Sequence, residues 1–386
     1  MGYQVLMKNW YPGDRGEDMY NDPFEEYIKQ SEPDKKYKGY IWSTAIGLQA
    51  VDGLETSEKL KKTAIENIEG NISIADAQRQ IESYYESKSI KDNDDRTEEA
   101  DKVSVRIASI LSEKSFSFSP SEYIGIHKKL FAGIYKHAGK IRDYNITKKE
   151  WVLDGATVLY GNATELRETL EYDFSQEKKF SYKGLTTDEI ISHLAYFISR
   201  LWQIHIFGEG NTRTTAVFFI KYLRSLGYDA TNDIFAENAW YFRNALVRAN
   251  YTDLKNDIHE TTIYLEKFIR NLLFNENNEL KNRYLHIKYT FDGQSVAIDK
   301  ENMAIDKENV AIEQKIKELK FNIQTKTSIE MLYKAVGAQK SFGRKNVSEI
   351  CDISYSAAGV LISKMKQCNI IEEVKGIGKG KYRFCL

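Results

Sequence analysis

Proline is scarce in this chain and cysteine scarcer. Only Pro12, Pro23, Pro33 and Pro120 occur in 386 residues, and none follows Pro120. Proline breaks helices, so the long stretch beyond it suits a mostly helical body. The three cysteines, Cys351, Cys368 and Cys385, are all C-terminal and form no CxxC pair. So sparse and odd a set excludes a disulfide framework and argues against a zinc site. The opening MGYQVLMKNWYPGDRGED lacks the apolar core of a secretory leader, and no apolar run is long enough to span a bilayer. Cytoplasmic residence with no membrane partner is the expectation. Net charge is nearly absent too, at −1, which excludes a polyanion binder by bulk charge.

The composition is otherwise that of a globular protein with substantial cores: 42% hydrophobic, 29% charged, with 25 Tyr and 18 Phe. The charge is uneven. Residues 326–386 hold 11 Lys and Arg against 5 Asp and Glu, a net of +6, and the remainder carries −7. A basic module on an acidic body points to a separate partner for that module.

Along the chain, residues 1–37 are acidic and rich in turn formers, and are expected to form an irregular lead-in. Residues 38–95 fit a compact helical unit. Asp52-Gly53 breaks its first helix, Thr56-Ser57 caps a second to about Glu69, and Ser73 starts a third. The run KDNDDRTEEAD at 91–101 is expected to be a linker or a frayed helix start. Residues 102–275 form the main domain, with helices expected near 103–113, 121–136, 163–173, 187–203, 211–226, 237–250 and 257–273. Thr186 to Glu189 fits a capping box ahead of the apolar-periodic run Ile190 to Trp202. Two β-prone runs around Asp154-Gly155, carrying Val152, Leu153, Val158 and Leu159, signal a hairpin. Residues 276–325 form a charged connector with the near-repeat VAIDKEN, MAIDKEN, VAIEQK. Residues 326–386 have the pattern of a winged helix: helices near 328–337, 346–351 and 354–367, then strands at 370–374 and 381–384 joined by KGIGKG.

The segment richest in chemistry is His205-Ile206-Phe207-Gly208-Glu209-Gly210-Asn211-Thr212-Arg213. It lies between two helical patterns, so a glycine-containing turn leads into a helix start. A helix start offers unpaired N–H groups and the positive dipole end to a phosphate. Gly208 and Gly210 let backbone approach without a Cβ. Arg213 adds a permanent cation, Glu209 is a hard oxygen ligand suited to Mg²⁺, and His205 suits proton removal from a hydroxyl.

This segment resembles the signature of the Fic family, H-x-F-x-[D/E]-G-N-x-R-x-x-R, as far as its first arginine, and the resemblance covers roughly residues 102–275. It implies a mainly α fold with a small β-hairpin flap, and a protein adenylyltransferase moving AMP from ATP to a Ser, Thr or Tyr hydroxyl. The target would be another protein or the chain itself; a homodimer is left open. In that resemblance His205 is the general base, and Glu209 holds Mg²⁺. Gly208, Gly210, Asn211, Thr212 and Arg213 bind the nucleotide, and Phe207 anchors the loop. Val152, Leu153, Val158 and Leu159 form the flap that docks the target by strand addition. Tyr241 and Asn244 are placed either near the base or in ordinary core packing.

Two departures bear on this. The signature's last arginine, which takes the γ-phosphate, is replaced by Ala216. A nucleotide-sensing, DNA-binding regulator with a degenerate Fic core is therefore the alternative function. Residues 44–85 resemble the antitoxin that brakes Fic toxins through [S/T]-x-x-x-E-[G/N], but Leu48 replaces Ser/Thr and Asp52 replaces Glu. An intramolecular antitoxin fold is expected, with Asp52 either an inhibitory contact or a helix-end residue, and without the usual Glu–Arg pair. In the C-terminal module Lys375, Lys379 and Lys381 are the candidates for DNA phosphates.

Overall fold

The computed structural model describes residues 24–30, 32–87, 95–230, 233–291, 294–295, 321, 323–336, 341–351, 353–374 and 380–385. The chain is mainly helical and divides into two compact units, Met1–Tyr289 and Thr290–Leu386.

Among its described residues the first unit is helical throughout: α1 Glu25–Gln30, α2 Pro33–Gly47, α3 Glu58–Ile68, α4 Ile74–Ser87, α5 Asp95–Ser112, α6 Pro120–Phe131, α7 Leu166–Lys179, α8 Thr187–Ile204, α9 Asn211–Ser225, α10 Ile234–Arg248 and α11 Ile263–Phe274. The lead-in is shorter than expected, because α1 and the first turn of α2 already lie inside 1–37. Pro33 explains this, since at the first helical position its missing N–H breaks no bond. Residues 1–23 lie outside the described residues.

A 3-10 turn, Leu48–Asp52, ends α2, and Gly53 stops it with φ +66°. Ser57 caps α3 through the amide of Leu60, and Ser73 begins α4 in reciprocal bonds with Asp76. From Asp95 on, the charged run expected to be a linker or a frayed start is the first turns of α5. Its Asp101 is fully buried and accepts the Ser57 amide at 2.8 Å and the Tyr85 hydroxyl at 2.8 Å. That carboxylate ties α3 and α4 to α5. The antitoxin-like helices are thus not a detachable body: Trp42, Leu60 and Ile81 share one apolar core with Leu130, Trp202, Phe219 and Phe268.

Two other expectations need correction. The helix expected to reach 136 ends at Phe131, because Ala132 leaves helical geometry and Gly133 takes φ +75°. The hairpin does not form. Trp151–Leu153 is a single 3-10 turn, Asp154 and Gly155 turn left-handed, and the Glu150 amide bonds to the Ala156 carbonyl at 2.9 Å. Val152, Leu153 and Val158 are buried. Their apolar side chains fill the core, so the β-prone run closes into a tight loop rather than a ladder.

The second unit has α12 Ile323–Val336, α13 Arg344–Ile350 and α14 Tyr355–Gln367. Strands β1 Thr290–Phe291 and β2 Gln294–Ser295 pair with each other. Strands β3 Phe342–Gly343, β4 Ile371–Glu373 and β5 Lys381–Phe384 form an antiparallel sheet in the order β3-β5-β4. The short β3 strand is absent from the sequence reading. Ile329, Leu332, Val347, Leu361, Met365 and Phe384 make this unit's core. The connector's repeat, which begins at Val296, lies outside the described residues. The three cysteines form no disulfide. Among the described residues no helix is long and apolar enough to cross a membrane.

At Gly47 the end of α2 meets α10 so closely that a Cβ would overlap the backbone of Ala236. Gly47→Ala is therefore expected to lower stability by about 1–3 kcal/mol, as overpacking does. Urea unfolding followed by far-UV circular dichroism measures it; an unchanged midpoint would contradict this packing.

Candidate functional site

The loop from His205 to Gly210 is shaped by buried polar groups rather than by regular structure. Asn211, first residue of α9, accepts the Phe207 amide at 3.0 Å and donates to the Phe207 carbonyl at 2.8 Å. Its side-chain amide closes the loop on itself. Phe207 is fully buried and stacks on His127 with ring centroids 3.7 Å apart. His127 accepts the Gly139 amide at Nδ1, so Nε2 carries the proton and donates to the Glu209 carbonyl at 3.0 Å. Burial pushes the His127 pKa down to about 4. Gly210 takes φ +74°, and a Cβ there would overlap Phe131; a Cβ on Gly208 would lie 2.6 Å from the Tyr144 hydroxyl. Thr212 accepts the Trp202 indole N–H at 3.0 Å, fastening the first turn of α9 to α8.

His205 ends α8 in the left-handed region, φ +50°, which a non-glycine residue holds only when its surroundings fix it. The fixing group is Arg142, whose Nε donates to the His205 carbonyl at 2.7 Å, while its other nitrogens reach the carbonyls of Tyr144 and Gly161. The imidazole is buried against Tyr160, centroids 4.4 Å apart. Nδ1 lies 3.3 Å from the Trp202 carbonyl. A carbonyl only accepts, so Nδ1 carries the proton and Nε2 keeps its lone pair. Nε2 has no hydrogen-bond partner within the protein. Burial, reinforced by the nearby Lys148 charge, holds the ring well below the usual imidazole pKa and therefore neutral. This is the ionisation state a general base needs.

Arg213 is 1% exposed and almost wholly engaged. Nε lies 2.8 Å from Asp52 Oδ2, Nη1 donates to Gln49 at 3.0 Å, and Nη2 donates to Glu99 at 2.6 Å and to the Tyr135 hydroxyl at 3.1 Å. Its guanidinium also lies over the Phe131 ring, 4.9 Å from the centroid. These carboxylates keep it fully charged despite burial. Asp52 is thus brought to the site as expected of an inhibitory contact, but onto the motif's first arginine. Ala216 is fully buried on α9.

The Fic/DOC family matches residues 117–223, which includes the loop, His205 and Arg213. Residues 117–223 are a Fic/DOC-family domain. A protein adenylyltransferase VbhT from Bartonella schoenbuchensis is 31% identical over 103 residues, 27% of this chain and 20% of that protein. The chain therefore spans about a fifth of the length of that curated relative. A Fic family protein from Desulfovibrio desulfuricans aligns over 95% of this chain and 91% of its own at 10% identity, with a TM-score of 0.41.

Around the Fic/DOC loop, Glu209 is half-exposed, and Lys148 Nζ is 3.6 Å from its carboxylate. Among the described residues no cluster of three or more His, Cys, Asp or Glu is arranged to hold a metal ion. Of the expected flap residues only Leu159 is exposed, at 85%, next to a carbonyl that accepts from Gln203 at 3.1 Å. Val152, Leu153 and Val158 face the core, so their side chains are not available to a target. Tyr241 donates to the Tyr264 carbonyl and Asn244 to Asn282, and both are buried in packing contacts. In the second unit Lys381 begins β5 opposite Gly343, while Lys375 and Lys379 lie outside the described residues.

The sequence reading missed Gln49, Glu99, Arg142, Lys148, Glu150 and Arg243. Glu150 is fully buried, accepts the Tyr160 hydroxyl at 2.9 Å, and pairs with Arg243 Nη2 at 2.7 Å. These residues sit in segments whose local patterns are ordinary.

His127 supplies a pH test. Its folded pKa is depressed below an unfolded value of about 6.5, so its contribution is complete above that pH and is lost as pH falls toward about 4. The chain is expected to lose on the order of 2–3 kcal/mol between pH 7 and pH 4.5 from this group. His127→Gln should show a correspondingly flatter pH dependence in urea unfolding. Equal slopes in both proteins would contradict the buried neutral imidazole.

Proposed function

We propose that this chain transfers AMP from ATP to a hydroxyl of a protein, itself included, and that its N-terminal helices restrain the reaction. The observation that carries the reading is the buried, neutral His205, with Nε2 unprotonated beside the N-terminus of α9. In this reading Nε2 takes the proton of the target hydroxyl as that oxygen attacks the α-phosphorus. The bond to the β-phosphate oxygen breaks and pyrophosphate leaves. The free amides at the start of α9 hold the oxygens on which charge develops.

Glu209 fits the Mg²⁺ role on its donor chemistry. It is a half-exposed carboxylate just ahead of the helix start, and Mg²⁺ usually takes one or two carboxylates together with phosphate oxygens. Bound there, the ion would neutralise phosphate charge. Leu159, exposed on the loop that follows the 3-10 turn, is the side chain best placed to meet a target. The relative's name, protein adenylyltransferase, agrees with this chemistry.

The restraint lies at Arg213. Until Asp52 or Glu99 moves, the charge of this cation is matched by two carboxylates rather than offered to a β-phosphate. Asp52, a third exposed at the end of its turn, is the more easily displaced. Incubation with α-³²P-ATP and Mg²⁺ tests both parts. His205→Ala is expected to abolish label, and Asp52→Ala to raise it at least about fivefold, since an allosteric restraint is typically worth 1–3 kcal/mol. Label that survives His205→Ala would overturn the mechanism. Label that is unchanged or lower in Asp52→Ala would overturn the restraint.

A further inference from the structure

α9 carries one cation in its first two turns, Arg213, and the buried Ala216 adds none. One metal ion and one guanidinium leave part of a triphosphate's charge unmatched. We infer that Arg243 on α10 supplies the missing cation, binding the nucleotide's phosphates beyond the α-phosphate. This rests on the nucleotidyl-transfer reading above.

The placement follows from two chains of contact. On one side Arg243 pairs with Glu150 at 2.7 Å, Glu150 accepts the Tyr160 hydroxyl at 2.9 Å, and the Tyr160 ring lies 4.4 Å from that of His205. Arg243 therefore stands two side chains from the base. On the other side α10 packs against the end of α2 and the 3-10 turn that follows, with Gly47 against Ala236. Asp52 ends that turn, and its charge acts on Arg243 as well as on Arg213. The Asp52 carboxylate is thus ion-paired with one guanidinium and ends a turn packed against the helix that carries the other.

A carboxylate whose charge favours two arginines marks where anionic oxygen is favoured, and guanidinium groups take phosphate as readily as carboxylate. When Asp52 swings out, a phosphate entering its place would meet Arg213 and extend toward Arg243 on the helix packed against that turn. Arg243 is suited to this. Its side chain is only 16% exposed, so its orientation is constrained. Glu150 behind it is a single buried carboxylate shared with Tyr160, which positions the guanidinium and leaves it able to accept a second anion. Trp240 supports it from one side, 4.9 Å from the ring centroid.

The test is nucleotide affinity by calorimetry in the full chain carrying Asp52→Ala, so that the site is open. The parent is compared with Arg243→Gln, and with Arg243→Gln combined with Glu150→Gln, which leaves no buried charge unpaired. Thermal melts check that each variant is folded. ATP affinity is expected to fall about tenfold to a hundredfold in both variants, the worth of one charge-assisted contact, while AMP affinity changes less than about threefold. Arg243→Lys should restore part of the loss. ATP affinity unchanged in the double variant, or AMP and ATP weakened equally, would overturn the assignment. Failure of the Asp52→Ala parent to bind ATP at all would instead refute the nucleotidyl-transfer reading, and this inference with it.

Discussion

The fold of the first unit is organised by one buried positive charge. Arg213 is 1% exposed, and a guanidinium so far from water is tolerable only if its N–H groups meet anions or strong acceptors. The partners come from three separate stretches of chain: Gln49 and Asp52 on the turn after α2, Glu99 on α5, and Tyr135 after α6. Those contacts require the N-terminal helices to lie where they do. Asp101, two residues beyond Glu99 on the same helix, secures the start of α3 and the last turn of α4. The result is a helical layer continuous with the Fic/DOC domain, sharing its core, with the partly exposed Asp52 carboxylate at the site's edge.

The chemistry depends on a second set of buried polar contacts. His127, Asn211 and Arg142 together hold the loop that precedes α9. Each engages backbone carbonyls or amides that burial would otherwise leave unpaired, so removing any one exposes an unsatisfied group as well as loosening the loop. His205 inherits its geometry and its protonation state from this scaffold. The neutral, unpartnered Nε2 on which the proposed reaction rests is made by the loop's supports as much as by the side chain itself.

How much of this was legible follows from which signals are local. Capping residues are local, so Ser57, Ser73 and the Thr186–Glu189 box located helix starts correctly. The motif from His205 to Arg213 is contiguous, and its resemblance located the domain. The hairpin failed because Val152, Leu153 and Val158 are β-prone in isolation but are claimed by the core. The lead-in is overextended because its turn formers include Pro33, which here starts a helix. Glu99, Glu150 and Arg243 were invisible for a different reason. Each is defined by a partner far away in sequence, and no pattern along the chain encodes such a pair. Asp52 was legible as a candidate from its resemblance to the antitoxin segment, yet its partner, Arg213 rather than a residue at 216, emerged only from the packing of the turn after α2 against α9 and α10.

The central claim is that Asp52 and a nucleotide phosphate compete for the same guanidinium. A crystal structure of the full chain with ATP and Mg²⁺ bound tests this most directly. The account predicts Arg213 in contact with phosphate oxygens and the Asp52 carboxylate turned away from it. Nucleotide bound at the α9 N-terminus with the Asp52–Arg213 pair still closed at 2.8 Å would contradict it.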